Sequence, residues 1–132
     1  MTLVVDASVV AASALDAGEV GEWARNCLAA QDLCAPHLLP AEVASAIRRH
    51  TLAGMLPETA GRDALHDVSL LGLDLYPFSP FHDRIWELRD NLTAYDAWYV
   101  AVAEAHHCPL ATLDHRLVGA AGPRCEFVTP GS

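Results

Sequence analysis

Lysine is absent from this 132-residue chain, so all eight basic residues are arginines, and 17 Asp and Glu residues outnumber them. The resulting formal net charge of −9 argues against broad, non-specific binding of nucleic acid, which requires a positive surface. A local arginine patch beside an acidic pocket is not excluded. Arg48, Arg49 and Arg116 form either such a patch or ordinary solvated helix positions.

Long apolar runs are also absent, and the first residues do not predict a secretory leader. No apolar stretch approaches the roughly 20 residues of a membrane span, and the apolar start contains Asp6 with no basic segment before it. The four cysteines fit neither CxxC zinc spacing nor a secreted disulfide scaffold, so we interpret them as reduced thiols. We therefore expect a cytoplasmic protein that does not enter a membrane.

The size of the chain suits a single domain over residues 1–132. Its hydrophobic fraction of 52% suggests apolar surface beyond that of one core, which predicts a homodimer or a protein partner. The candidates for this interface are Trp23, Leu28 and the apolar faces of two predicted helices, the third (residues 40–54) and the fourth (residues 57–72). A partner helix would bind there by placing its apolar face in an apolar groove.

Short apolar strands alternate with helical segments along the chain. Ser8 is predicted to cap the first helix, Pro40 and Pro57 to begin the third and fourth, and Thr93 to cap the sixth. The alternation indicates an α/β fold with a mostly parallel four- or five-stranded central sheet and helices on both faces. In such sheets ligands bind along the edge where strands end and helices begin. The predicted strands are residues 2–6, 33–36, 73–78, 110–113 and 126–129.

Four acids stand out because each lies in an apolar or alanine-rich stretch. Asp6 is the only charged residue among the first fifteen, and Asp96 is the only one in NLTAYDAWYVAVA. A buried, unpaired carboxylate costs several kcal/mol, roughly, or takes up a proton. The complete set is Asp6, Glu42, Asp96 and Asp114.

Each acid also has a purely structural explanation. Asp6 and Asp114 follow strands and precede helices, as N-cap aspartates do. Asp96 lies three residues after Thr93, the spacing of a capping box, and Glu42 lies in the first turn of its helix, where the dipole favours negative charge.

Both explanations place the acids at one edge of the sheet. Two carboxylates about 5 Å apart repel by roughly 3 kcal/mol at an effective dielectric near 20, which exceeds the gain of about 1 kcal/mol from a cap. A divalent cation removes this conflict, and hard oxygen ligands favour Mg²⁺ or Mn²⁺ over zinc. Asp6 and Asp96 are the strongest ligand candidates.

The segments VVDASV, PAEVASAIRR, TAYDAWYVAVAE and LATLDHRL follow one another in this order. They resemble the four acidic motifs of the PIN-domain nucleases and, more narrowly, of the VapC-type toxins of bacterial toxin-antitoxin pairs. The resemblance implies a PIN-like fold and a Mg²⁺- or Mn²⁺-dependent endoribonuclease that hydrolyses RNA by metal-activated water, leaving 5′-phosphate and 3′-hydroxyl ends. It also implies a cognate antitoxin that covers the site.

The same resemblance assigns residues to the site. The catalytic and metal-binding carboxylates are Asp6, Glu42, Asp96 and Asp114. Ser8 and Thr112 match polar positions beside the metal, and the alternatives for them are a helix cap and a strand-end hydroxyl.

Other functions are less compatible with the sequence. A phosphoacceptor receiver module requires adjacent acids after the first strand and a lysine, and this chain has neither. A non-catalytic PIN-fold scaffold is the remaining alternative, against which the presence of all four acids argues. None of the seven histidines has a recognisable acid or base partner, so we assign none a catalytic role.

Three aromatic residues near Asp96 allow two interpretations. Tyr95, Trp98 and Tyr99 are either a platform for base stacking or part of the core. Their helical spacing beside Val102 favours core packing.

Overall fold

The computed structural model describes residues 1–29 and 32–131. Within them, five parallel strands form one sheet in the order β3-β2-β1-β4-β5, so β1 lies at its centre. This confirms the predicted α/β class and parallel sheet. The strands are β1 (Thr2–Val5), β2 (Asp32–Pro36), β3 (Asp74–Tyr76), β4 (Leu110–Ala111) and β5 (Phe127–Val128).

Helices connect successive strands, as parallel pairing requires. Two helices link β1 to β2, two link β2 to β3, and two link β3 to β4 after a short 3₁₀ turn at Ser79–Phe81. The helices are α1 (Ala7–Leu15), α2 (Glu19–Ala29), α3 (Leu39–Leu52), α4 (Glu58–Ser69), α5 (His82–Glu87), α6 (Ala94–Ala105) and α7 (His115–Val118).

The core surrounds the central strands and includes buried residues of α1, α3 and α6. Val4 and Val5 of β1 are fully buried, and α6 packs against β1, β2 and β4. Its segment 99–103 is buried on every side, because small and β-branched residues there allow close approach to the sheet. Burial of this helix holds its first turn, which carries Asp96, at the edge of the sheet.

The starts of α3 and α4 lie within one residue of the sequence predictions. Helix α3 begins just before Pro40, and α4 begins just after Pro57. Thr93 caps α6 by accepting a hydrogen bond from the Asp96 N–H (3.2 Å), as predicted.

Of the two residues that the sequence offers as the cap of α1, Ser8 is wrong and Asp6 is confirmed, because the Asp6 carboxylate accepts a hydrogen bond from the Val9 N–H (3.2 Å). Ser8 lies inside the helix, and its hydroxyl group bonds elsewhere.

All four cysteines are free thiols, as predicted, and Cys34 is the buried one. Over the two described segments, no helix has both the length and the apolar character needed to cross a membrane.

Candidate functional site

The topology brings the four predicted acids to one edge of the sheet. Asp6 directly follows β1, and Asp114 follows the neighbouring strand β4 and caps α7. Glu42 and Asp96 lie in the first turns of α3 and α6. Burial is the main cause that raises the pKa of Glu42 and of Asp96. The charges of Asp6 and Asp96 raise the pKa of Glu42 further, and that of Asp114 raises the pKa of Asp96 further, so the four are electrostatic neighbours.

Asp6 is the most deeply buried of these acids, with 8% of its surface exposed. Its carboxylate accepts hydrogen bonds from the hydroxyl groups of Ser8 and Thr112 and from the N–H of Val9. Burial raises the pKa of Asp6, and these hydrogen bonds oppose the rise. The carboxylate is therefore held in place by donors but remains difficult to ionise.

The hydroxyl groups of Ser8 and Thr112 tie two loops to this carboxylate. Ser8 Oγ accepts a hydrogen bond from the Leu113 N–H (3.1 Å), and Thr112 Oγ1 accepts one from the Asp114 N–H (3.0 Å). Because a backbone amide can only donate, both hydroxyl protons remain to point at Asp6. The starts of α1 and α7 are thereby locked together around one carboxylate.

Glu42 is held from the opposite helix by Tyr99. The Tyr99 hydroxyl donates a hydrogen bond of 2.6 Å to Glu42 Oε1, joining α6 to α3. The pKa of Glu42 is raised mainly by burial and further by Asp6 and Asp96, while the Tyr99 hydrogen bond lowers it. Tyr99 therefore favours the charged form of Glu42 in a setting that otherwise disfavours it.

Asp96 and Asp114 line a cavity of about 250 Å³ together with Thr93 and Arg116. Burial raises the pKa of Asp96 most, followed by the charge of Asp114. Asp114 Oδ1 accepts hydrogen bonds from the N–H groups of Arg116 and Leu117 (3.0 and 3.4 Å), so it caps α7 while facing the cavity. The Arg116 side chain is 96% exposed and 3.9 Å from Asp114, a geometry that contributes little to stability.

The side-chain atoms that could bind a metal at this site are carboxylate and hydroxyl oxygens, which suit a hard divalent cation. In residues 1–29 and 32–131, however, no three His, Cys, Asp or Glu side chains come close enough together to hold one metal ion. The acids therefore form an open arrangement and not a closed cage. Such an arrangement fits a cation that keeps several waters and binds through one or two carboxylates plus substrate oxygens.

Two tyrosines near the site differ from the sequence prediction. Tyr99 was assigned to the core, and its ring is buried as predicted, but its hydroxyl reaches Glu42. Its position three residues after Asp96, on the same face of α6, is the signal that could have revealed it. Tyr95 was also assigned to the core, which is wrong, because its side chain is 60% exposed.

Replacing Tyr99 with phenylalanine is expected to raise the pKa of Glu42. The substitution removes the hydrogen bond that lowers this pKa, while burial and the charges of Asp6 and Asp96 continue to raise it. Titration of the Glu42 carboxyl carbon by NMR in metal-free protein measures the shift. Tyr95→Phe, which removes an exposed hydroxyl from the same helix, is the control and should leave the midpoint unchanged. An unchanged midpoint in Tyr99→Phe contradicts the assigned role.

Comparison with known proteins agrees with this architecture. The sequence model described as "PIN domain" matches residues 3–123. VapC ribonuclease Mb0985 from Mycobacterium bovis is 43% identical over 125 residues, covering 95% of this chain and 95% of that protein. The crystal structure of PAE2754 from Pyrobaculum aerophilum matches with a TM-score of 0.73 at 24% identity, over 96% of this chain and 83% of that one.

A second solved structure, VapBC2 from Rickettsia felis bound to a DNA fragment from its promoter, matches with a TM-score of 0.67 at 12% identity, over 98% of each chain. At these identities the two structures establish the fold alone. The match of the sequence model and the identity to the mycobacterial ribonuclease go further: this chain belongs to the PIN-domain family and, within it, to the VapC ribonucleases.

Proposed function

We propose that the protein is a Mg²⁺- or Mn²⁺-dependent endoribonuclease, the toxin of a type II toxin-antitoxin pair, and that the acidic site is its catalytic centre. The observation that supports this proposal is that four acids lie along the carboxyl edge of the sheet. Burial raises the pKa of three of them, and for Glu42 and Asp96 the charges of neighbouring acids raise it further. Groups placed in this way are typical of functional sites. The three are Asp6, Glu42 and Asp96.

A divalent cation at this edge supplies positive charge that lowers the pKa of water and stabilises the departing oxygen. Asp6 and Asp96 are the carboxylates that would chiefly hold this cation. Ser8 and Thr112 orient the carboxylate of Asp6 through their hydroxyl protons.

The two remaining acids are suited to orient the attacking water. Asp114 borders the open cavity, and Glu42 is positioned by Tyr99. Attack of water on phosphorus with cleavage of the P–O3′ bond leaves 5′-phosphate and 3′-hydroxyl ends. The name and 43% identity of the M. bovis ribonuclease support RNA as the substrate.

A groove bordered by α1, α2 and α4 is the surface we assign to the antitoxin. It has a volume of about 550 Å³, with Leu28, Ala64 and Val68 in its apolar lining. Its charged lining residues are the acids Asp63 and Asp67 and one base, Arg25. The Arg25 guanidinium group donates hydrogen bonds to the backbone oxygens of Ser13 and Asp16. An amphipathic antitoxin segment with basic flanks would match both features. The name VapBC2 of the R. felis structure supports a partner of this kind. A homodimer remains a prediction.

Cleavage of RNA with and without metal tests the proposed activity. Purified protein freed of antitoxin should cleave RNA in Mg²⁺ or Mn²⁺, and EDTA should lower the rate at least about 100-fold, the effect of losing one electrostatic stabiliser from an active site. Added Mg²⁺ should restore the rate, and mapped products should carry 5′-phosphates. EDTA-resistant cleavage, or products with a cyclic phosphate, contradicts the mechanism, and no cleavage in either metal favours the alternative of a non-catalytic PIN-fold binding protein.

A further inference from the structure

A second cleft adjoins the acidic site. Its volume is about 550 Å³, and both Ser8 and Glu42 line it. Most of its other lining side chains are small, so the cleft between α1 and α3 stays open to solvent. Three larger side chains border it as well: Leu38, the aromatic ring of Tyr95 and the guanidinium group of Arg49. The small lining residues are Ala7, Ala11, Ala41, Ser45 and Ala46.

The periodicity of α3 explains how Arg49 comes to face the cleft. Glu42, Ser45 and Arg49 are three and seven residues apart, which places them along one face of the helix. At a rise of about 1.5 Å per residue, Arg49 lies about 10 Å from Glu42 along the helix axis. An exposed cation therefore stands two turns away from the acids, on the surface that leads to them.

Tyr95 presents an aromatic ring at the same cleft. It directly precedes Asp96 in α6 and is 60% exposed, whereas Tyr99 is 2% exposed and donates its hydroxyl to Glu42. Trp98 is half-buried, and its ring packs edge-on against Phe78 with the centroids 5.4 Å apart. Tyr95 is therefore the most exposed of the three aromatic residues in this segment. Base stacking on an aromatic side chain tolerates any sequence, because every base has a π-face.

We propose that this cleft binds the RNA strand next to the scissile phosphate, with an unpaired nucleobase stacked on Tyr95 and a neighbouring phosphate bound by Arg49. The inference rests on the proposed ribonuclease function. It accounts for RNA binding by a chain of net charge −9, because the positive charge is needed only locally. Arg48 is exposed on the same helix but does not line the cleft, which makes it a matched control.

Binding of a short single-stranded RNA that carries 2-aminopurine tests the proposal. The Asp96→Asn background in Mg²⁺ keeps the strand intact, and stacking quenches the fluorescence of the probe. Adding Tyr95→Ala should raise Kd about 10-fold, equivalent to about 1.4 kcal/mol, and should abolish the quenching, whereas Tyr95→Phe should preserve both. Arg49→Ala should raise Kd and reduce the salt dependence of log K by about 0.7, the value for one phosphate of a single strand. Arg48→Ala should change neither.

The outcomes separate this inference from the proposed function. If wild-type protein cleaves RNA in Mg²⁺ but Tyr95→Ala and Arg49→Ala leave Kd, quenching and salt dependence unchanged, the cleft proposal is wrong and the ribonuclease stands. If these variants weaken antitoxin binding and not RNA binding, the cleft belongs to the partner and the proposal is again overturned. If the wild type binds the probe as expected but never cleaves, the binding cleft is supported and the catalytic function fails. Circular dichroism checks that each variant is folded.

Discussion

Replacing Asp96 with asparagine is expected to abolish RNA cleavage and, in metal-free protein at neutral pH, to raise the melting temperature. Asp96 is a proposed metal ligand whose pKa is raised by burial and then by the charge of Asp114. When an acid has a higher pKa in the folded state than in the unfolded state, the free energy of unfolding is highest at pH values below the unfolded pKa, where the acid is protonated in both states. This stability is lost as pH rises through the folded pKa. At neutral pH the ionised Asp96 therefore opposes folding.

Asparagine removes this charge with little change in shape. The N–H of residue 96 still donates to the Thr93 hydroxyl, so the cap of α6 is preserved. We expect cleavage to fall at least about 100-fold, by the loss of one electrostatic component of the site, while the melting temperature rises by a few degrees. Lower activity together with a higher melting temperature is typical of a charged group that serves the function of the protein and is not required for folding.

Thermal unfolding in EDTA from pH 4 to pH 8 measures the stability effect. The advantage of Asp96→Asn should be small near pH 4 and should grow towards neutral pH, as the wild-type carboxyl group ionises. Mg²⁺ should raise the melting temperature of the wild type more than that of the variant. Asp90→Asn, which neutralises an exposed acid outside the site, is the control. A lower melting temperature in EDTA, or retained cleavage, contradicts the role of Asp96.

The sequence predicted the location of the site because two independent rules agree on it. Solitary charges in apolar segments marked Asp6 and Asp96, and the parallel sheet places strand ends and helix starts at a single edge. The capping and ligand explanations turned out to be compatible. Asp114 caps α7 through Oδ1 and still borders the cavity, so the structural role does not exclude the chemical one.

The contacts between α3 and α6 could not be predicted in the same way. Tyr99 reaches Glu42 across 57 positions of sequence, and that pairing depends on how two helices pack. The same packing decides the exposure of Tyr95. Tyr95 and Tyr99 are one helical turn apart, so periodicity alone predicts the same burial for both. For the cap of α1 the sequence offered both Asp6 and Ser8, because both are good capping residues, and only the hydrogen bond from the Val9 N–H distinguishes them.

Replacing Thr112 with valine is expected to cause the largest loss of stability among the substitutions at this site that keep the shape of the original side chain. Thr112 is fully buried, and its hydroxyl donates to Asp6 while accepting from the Asp114 N–H. Valine fills the same space, so no cavity forms, but both partners lose a hydrogen bond. At about 1–3 kcal/mol for each buried polar group left unpaired, the free energy of unfolding should fall by about 3 kcal/mol, or roughly 10 °C in melting temperature.

The loss should be larger at pH 8 than at pH 5. The Thr112 hydrogen bond lowers the pKa of Asp6 against the effect of burial, so its removal raises that pKa further. A further rise increases the pH-dependent destabilisation that the ionised carboxylate imposes on the fold. Urea unfolding in EDTA at the two pH values measures the difference, with Thr112→Ser, which keeps the hydroxyl, as the control.

Ser8→Ala shows how much of the loss of stability is specific to the Thr112 hydroxyl and how much follows from removing any hydroxyl donor to Asp6. It also removes a hydroxyl donor from Asp6, but Ser8 is only partly buried, so water can replace part of what is lost. We expect a smaller loss of stability with the same dependence on pH. If Thr112→Val and Thr112→Ser have the same free energy of unfolding at pH 8, the charge of Asp6 does not depend on these hydroxyl groups. The proposed arrangement around Asp6 would then have to be abandoned.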